Sequence, residues 1–276
     1  MNMRHALGVV VLAAFAGLAM AAPITVPARA ASNKSLVVPE DQKKLGTVYY
    51  SVKTPQNRGI KFASEAANER FDGIANDIAG FAIAGPADNP AKLVAGGWRV
   101  AVKSIDTKIT ERNAHLLGKE WLNAEANPDI TFALKETTDV KLTKEMQGGP
   151  KTYTGTLKGE MTINGVTKDV EIANTTMIFV PTNPAAEKTF KGDIISLRCK
   201  YEIKLSDYGI SNEHIKTSKK VAEVIKVDQD LILATVPPEE QPELKKPEAA
   251  KPAAPKAKPD AEPKEAPKPE VKPVGG

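Results

Sequence analysis

Strict alternation of apolar and polar residues predicts β-strands in three stretches of the chain. They are GWRVAVKSIDT (97–107), YTGTLKGEMTI (153–163) and ISLRCKYEIKLS (195–206). In the third stretch, Ile195, Leu197 and Cys199 share one face, and polar residues occupy the other. Alternation with period two over such lengths is typical of antiparallel strands with one face in the core and one in water.

Weaker alternation and turn residues predict further strands and an all-β fold. The two-residue turn Asn164-Gly165 indicates a hairpin, because both central positions of a type I′ turn require positive φ. About eight strands with one apolar face fit a closed barrel or a sandwich. The further strands are predicted at Thr47–Lys53, Gly59–Ser64, Gly80–Ala84, Ile130–Leu134, Val170–Val180 and Val224–Thr235.

The first 31 residues have the pattern of a secretory signal peptide. Arg4 and His5 precede an apolar run, which is too short to span a membrane. Small residues then offer cleavage after Ala19-Met20-Ala21 or after Ala28-Arg29-Ala30. No cysteine follows to carry a lipid anchor, so we expect a soluble periplasmic or secreted protein.

The composition changes at residue 237. Residues 237–276 consist mainly of Pro, Lys, Glu and Ala, and such a segment cannot bury enough apolar surface to offset its ordering entropy. We therefore predict a disordered tail, which serves either as a passive solubilising segment or as a spacer that contacts components of the cell envelope. Residues 32–236 remain as one β-domain.

Charge and cysteine content exclude several classes of protein. The formal net charge is +4, the basic residues are dispersed and aromatic residues are few, so nucleic acid is not an expected partner. The single cysteine, Cys199, cannot form an internal disulfide and alternates in phase with core residues. We interpret it as a small core residue.

A search for catalytic and metal-binding motifs gives no match. The sequence lacks a G-x-S-x-G elbow, a G-x-G-x-x-G turn, a phosphate-binding loop and an H-E-x-x-H helix. His115 and His214 have no His or Cys at metal-ligand spacing. We predict that the protein is not an enzyme and holds no metal; the alternative is a hydrolase site assembled by tertiary contact.

Residues 112–132 combine a short helix with the beginning of a strand. Leu116, Leu117, Trp121 and Leu122 give the helix an apolar side that can cover an opening, and Asn127-Pro128 ends it. We interpret the segment as structural closure of one barrel end. The alternative is polar ligand contact, in which Arg112 or His115 binds an anionic or quinone head group.

The order of motifs from residue 60 to residue 235 resembles the YceI-like family of exported polyisoprenoid-binding proteins. Each motif is short, and the resemblance lies in their order. The matching residues are Ser104 and Thr107, Arg112-Asn113, His115-Leu116, Trp121-Leu122-Asn123-Ala124, Pro128, Ile130 and Phe132, Gly155 and Leu157, Gly165-Val166-Thr167-Lys168, and Tyr208-Gly209-Ile210.

The resemblance implies a lipocalin-like eight-stranded antiparallel barrel with a short inserted helical segment. In the family, this barrel is a lidded tube that holds a long isoprenoid chain. Two features depart from the family pattern. Asn57-Arg58-Gly59 replaces the polar opening of the first strand, which weakens any head-group contact there, and the Pro-rich tail lies outside the family core.

The expected ligand is a polyisoprenoid or an isoprenoid quinone-like molecule, and no other cofactor is expected. The sequence also allows a homodimer. In the alternative function, the barrel is filled by its own side chains and the protein acts in envelope stress or interaction through its tail. If the lumen is open, the strand residues that face inward form its apolar lining. That lining is Trp98, Val100, Val102, Ile130, Phe132, Leu134, Leu157, Met161, Ile172, Leu197, Tyr201 and Ile203.

Overall fold

The computed structural model describes residues 36–53, 59–86 and 88–242, all within one compact unit. Three short α-helices occur in this part, α1 (Glu40–Lys43), α2 (Thr110–Leu117) and α3 (Glu213–Lys216). The strands there are β1 (Thr47–Ser51), β2 (Ile60–Glu65), β3 (Arg70–Ala75), β4 (Ile78–Ala84), β5 (Leu93–Ala101), β6 (Ile105–Asp106), β7 (Asp129–Glu145), β8 (Lys151–Ile163), β9 (Val166–Val180), β10 (Ile194–Lys204) and β11 (Val224–Ala234).

The predicted signal peptide, residues 1–31, lies outside the described residues. Of the predicted tail, residues 237–242 are described, and Pro238–Glu240 form a 3-10 turn. The Gln241 side chain accepts a hydrogen bond from the Lys191 amide and donates one to the Val236 carbonyl, both at 2.8 Å. These bonds hold the beginning of the segment against the barrel. No described helix is long and apolar enough to cross a membrane.

Eight of the strands close into an antiparallel barrel in the order β1-β4-β5-β7-β8-β9-β10-β11. The ring is closed by pairing between β11 and β1, where Ala234 lies opposite Tyr50. The inserted helix α2 lies between β6 and β7. The structure therefore confirms the all-β barrel with a short helical insertion, and the sandwich alternative does not apply.

The other three strands lengthen the barrel at one end. β2 pairs with β11 below β1, β3 pairs with β2, and β6 pairs with β3. They thus continue β1, β4 and β5 after short interruptions. The alternation in the sequence predicted that β5 continues through Val102. In the structure, Val102–Ser104 instead form a 3-10 turn that bends the chain. The Val102 amide donates to the Pro128 carbonyl at 2.9 Å, which fixes this bend.

The Asn164-Gly165 hairpin defines what we call the lower end of the barrel. Both residues have positive φ, 50° and 75°, so the predicted turn is confirmed. β7 is much longer than the predicted Ile130–Leu134, because three register shifts against β8 break its period of two. The strand β3 was not predicted at all, since Gly73 and its charged neighbours obscure the alternation.

Both faces of β4 are buried, which explains its lack of alternation. Its outward residues Phe81 and Ile83 pack beneath Leu36 and Val38, in a cluster on the outside of the barrel. The chain before β1 therefore covers the outer wall. Inside the upper half of the barrel, large side chains are almost completely buried and fill the lumen; they include Leu93, Leu134, Leu157, Met177, Leu197 and Leu233. Cys199 is buried in this core, as predicted.

Leu36→Ala tests the contribution of the outer cluster. Leu36 is 1% exposed, so we expect the substitution to lower the free energy of unfolding by about 2–5 kcal/mol through lost burial and a cavity. The neighbouring Val37 is 75% exposed, and Val37→Ala is the matched control, with a change within about 0.5 kcal/mol. Urea denaturation followed by circular dichroism measures both, and equal effects would contradict the described packing.

Candidate functional site

An apolar cavity of about 130 Å³ occupies the lower half of the barrel. Its walls are formed by β2, β3, β5, β6, β7, β8, β10 and β11, and residues from α2 and the following turns cover it. Seven of the twelve predicted lining residues line this cavity. They are Trp98, Val100, Ile130, Phe132, Met161, Tyr201 and Ile203.

The remaining five predicted residues lie elsewhere. Leu134, Leu157, Ile172 and Leu197 belong to the packed core, outside the cavity. Val102 is buried in the 3-10 turn after β5 rather than on the inner face of a strand. The alternation of apolar and polar residues thus identifies side chains that point inward. It does not distinguish those that pack in the core from those that line the cavity. As ligand contacts, all twelve residues stay predictions.

The lining is uncharged. Among the described side chains that border the cavity, Thr131 and Tyr201 carry hydroxyl groups and the others are hydrocarbon or aromatic, apart from a methionine thioether. Trp98 and Phe132 stack with their ring centroids 4.6 Å apart and form one wall. Such a cavity favours an apolar guest and disfavours an ion, because a buried charge needs a partner.

The strands β2 and β3 contribute lining residues that the sequence interpretation missed. Ile60 and Phe62 of β2 and Phe71 and Ala75 of β3 all border the cavity. Gly73 makes this wall possible: a Cβ there would lie 2.2 Å from the Phe62 ring, so the absent side chain lets the ring lie across β3. The alternation of Ile60 and Phe62 was the available signal; β3 offered none.

Two chain segments form a cap over the lower end. Residues 107–128 contribute Leu116, Trp121 and Leu122, and residues 205–223 contribute Leu205, Ile210 and Val221 to the cavity surface. The helix α2 ends at Leu117, earlier than the predicted Asn127-Pro128, because Gly118 takes an extended conformation. The rest of the first segment consists of turns.

Polar side chains and one aromatic contact join the parts of this cap. The Asn212 Nδ2 donates to the Glu120 carbonyl at 3.2 Å, and the Trp121 ring centroid lies 6.1 Å from that of His214. Asn164, in the β8–β9 turn, donates to the Tyr208 carbonyl at 3.3 Å. These contacts tie the two segments of the cap to each other and to the barrel.

Arg112 and Asn113 dock α2 onto the strands. The Arg112 guanidinium pairs with Glu69 and lies over the Phe71 ring, 4.1 Å from its centroid. The Asn113 Oδ1 accepts hydrogen bonds from the Thr107 amide at 2.8 Å and the Thr107 hydroxyl at 2.7 Å. These contacts give both residues a structural role.

His115 is exposed and does not border the cavity. Since Arg112 is already paired with Glu69, any head group would have to share its guanidinium. Contact between either residue and a ligand head group stays a prediction. Within the described residues, no group of three His, Cys, Asp or Glu side chains is arranged to hold a metal ion.

Hydrogen bonds and burial shift three pKa values near the cavity and its cap. The Asp106 carboxylate accepts bonds from the Lys108 amide, the Lys108 ammonium and the Asn113 amide, and these lower the pKa of Asp106 to about 2. Burial raises the pKa of Cys199 to about 12 and also raises the pKa of Tyr201. The interior therefore keeps its thiol and phenol neutral at physiological pH.

Asn113→Ala tests how α2 is docked. Its loss removes one donor to Asp106, so the pKa of Asp106 should rise from about 2 toward its ordinary value of 3.8. A lowered pKa means that the docking contact is present above about 3.8 and is lost as the pH falls toward 2. NMR titration of the carboxyl carbon measures this shift. Ser104→Ala is the control, because Ser104 bonds the Ala101 carbonyl and should leave the pKa unchanged.

Comparison with known proteins gives one family and several distant relatives. A UPF0312 protein of Serratia proteamaculans is 31% identical over 125 residues, which cover 45% of this chain and 56% of that protein. A UPF0312 protein of Yersinia enterocolitica is 30% identical over 129 residues, 47% of this chain and 58% of that protein. The chain thus spans slightly more than half the length of these curated relatives.

Solved structures with similar folds include two bacterial proteins. Burkholderia cenocepacia BcnA covers 65% of this chain and 98% of its own at 17% identity, with a TM-score of 0.46. A polyisoprenoid-binding domain from Saccharophagus degradans covers 68% and 98% at 11% identity, with a TM-score of 0.45. The family model of the YceI-like domain matches residues 50–233, from β1 to β11. The chain belongs to the YceI-like family.

Proposed function

We propose that the protein binds the hydrocarbon chain of a polyisoprenoid or isoprenoid quinone-like lipid in the barrel cavity, and sequesters or carries it in the periplasm or outside the cell. The observation that supports this proposal is the uncharged cavity beneath the cap. The isoprenoid class comes from the family resemblance, and the location comes from the signal-peptide pattern of residues 1–31.

The size of the cavity sets a condition on binding. A cavity near 130 Å³ is comparable with engineered apolar cavities of about 150 Å³ that admit benzene, so it accommodates roughly one isoprene unit. Burial of one five-carbon unit contributes about 4 kcal/mol, at about 0.8 kcal/mol per carbon. Association costs at least about 4 kcal/mol, so useful affinity requires two or more units.

A longer chain must therefore enlarge the site. The upper half of the lumen is filled by packed leucines, and the lower end is closed by the cap, whose residues Trp121 and Ile210 are also buried. Movement of residues 107–128 and 205–223 away from the barrel would lengthen the cavity and leave the strand pairing intact, because neither segment contains a strand. Ligand size is thus coupled to the position of the cap.

The direct test is to identify a bound lipid. The full chain is expressed in a bacterium, recovered from the periplasm or medium, extracted with chloroform–methanol and analysed by mass spectrometry. We expect an isoprenoid lipid at close to one molecule per protein. If repeated preparations contain no apolar compound above background, the proposal fails, and the alternative of a ligand-free barrel that acts through residues 237–276 gains support.

Ala75→Leu tests whether the cavity is the binding site. Ala75 borders the cavity and is 3% exposed, so the larger side chain should occupy the guest's space and reduce bound lipid about tenfold or more. Ala63→Leu is the matched control, because Ala63 lies on the neighbouring strand and lines an outer groove. Lipid content and thermal unfolding are measured for both variants. Equal lipid content in the two variants would place the ligand elsewhere.

A further inference from the structure

Thr137, Thr175 and Gln229 are polar side chains buried among the apolar residues of the barrel, and Gln229 is the largest of them. Gln229 of β11 is 0% exposed and points inward between Val227, which borders the cavity, and Leu231, which belongs to the packed core. On β10, Cys199 is its paired neighbour. Gln229 therefore lies just beyond the inner end of the cavity, behind Tyr201, and does not itself border the cavity.

The amide of Gln229 is incompletely hydrogen-bonded. Its Oε1 lies 3.5 Å from the hydroxyl oxygen of Tyr201, which is at the long limit of a hydrogen bond. Its Nε2 has no hydrogen-bond partner among the described residues. A buried amide that lacks partners lowers stability, so a group that supplies an acceptor at this position binds favourably.

The pair can donate a hydrogen bond whichever way the amide is turned. As placed, Tyr201 donates to Oε1 and both N–H groups of Nε2 are available. If the amide is reversed, Nε2 donates to the Tyr201 oxygen, and the phenolic O–H and the second N–H become available. Both arrangements leave at least one donor without an acceptor; in the reversed one Oε1 also lacks a donor, which a hydroxyl group can supply.

The acceptor must be neutral. No charged side chain is present among the described residues that border the cavity, so a phosphate placed here would be buried without a counter-ion. Burial that raises the pKa of Tyr201 also disfavours any negative charge beside it. Hydroxyl and carbonyl oxygens meet the requirement, whereas a phosphate group would have to stay at the capped end.

We infer that Tyr201, which borders the cavity, and Gln229 directly behind it form a polar subsite at the inner end of the cavity, which binds a neutral oxygen of the ligand. This inference rests on the proposed function and deepens it. The ligand class is a lipid with a hydroxyl or carbonyl group that enters first, with its hydrocarbon chain extending toward the cap. The subsite sets orientation and favours such lipids over plain hydrocarbons.

The test compares two probes that differ by one oxygen. Geraniol carries a hydroxyl group, and 2,6-dimethylocta-2,6-diene has the same carbon skeleton without it. Trp98 and Trp121 are the chain's only tryptophans and both border the cavity, so tryptophan fluorescence reports occupancy. The variants are Gln229→Leu and Tyr201→Phe. Thr137→Val is the control, because it removes a buried hydroxyl bonded to the Ala91 carbonyl, away from the cavity.

We expect the wild type to bind geraniol about tenfold more tightly than the hydrocarbon. Gln229→Leu should remove this preference by weakening geraniol binding about tenfold, while hydrocarbon binding changes less than threefold. Thr137→Val should keep the preference. Tyr201→Phe removes a single oxygen, and it provides the same comparison with a smaller structural change if Gln229→Leu fails to fold.

Two outcomes overturn the inference and are distinguishable. If the wild type binds both probes equally, or if Gln229→Leu weakens both equally, the polar subsite is wrong while the apolar binding site stands. If the wild type binds neither probe, the proposed function fails together with the subsite. Geranyl phosphate is the third probe: tighter binding than geraniol that depends on Gln229 would overturn the requirement for a neutral oxygen.

Discussion

The architecture depends on backbone hydrogen bonding along one edge of β11, which pairs with two different strands. The upper residues of this edge bond to β1 and close the ring, and the lower residues bond to β2. β1 and β2 occupy successive parts of the same edge, so one strand position is shared by two strands. The same kind of sharing recurs between β3 and β4 and between β5 and β6. The successive strands β1 and β2, β4 and β3, and β5 and β6 thus form a barrel that is longer than any one of these strands.

The length of the barrel explains why one interior has two characters. Large leucine and methionine side chains fill the upper half, where they exclude both water and ligand. In the lower half, aromatic rings line much of the wall, and the cap closes the lumen in place of side chains that would fill it. Gln229 lies at this boundary. The cavity is therefore a property of the arrangement of strands and cap, rather than of a particular motif.

Local sequence patterns predicted the strands that have one face in the core and the other exposed to solvent. β8 and β10 alternate cleanly, and Asn164-Gly165 specified its turn, so these elements followed from the sequence. β4 did not alternate, because Leu36 and Val38 cover its outer face, a contact between segments that no local pattern records. The cavity was equally inaccessible, since inward residues such as Leu157 and Met161 look alike in sequence while only one borders open space.

The segment that covers the outer wall also constrains maturation of the chain. Leu36 and Val38 are integral to the hydrophobic surface of β4, so a protease that trimmed the amino terminus beyond residue 35 would expose Phe81 and Ile83 to solvent. Both cleavage positions suggested by the sequence, after Ala21 and after Ala30, leave this segment in place. A protein cut at either position would keep Leu36 and Val38 over this wall.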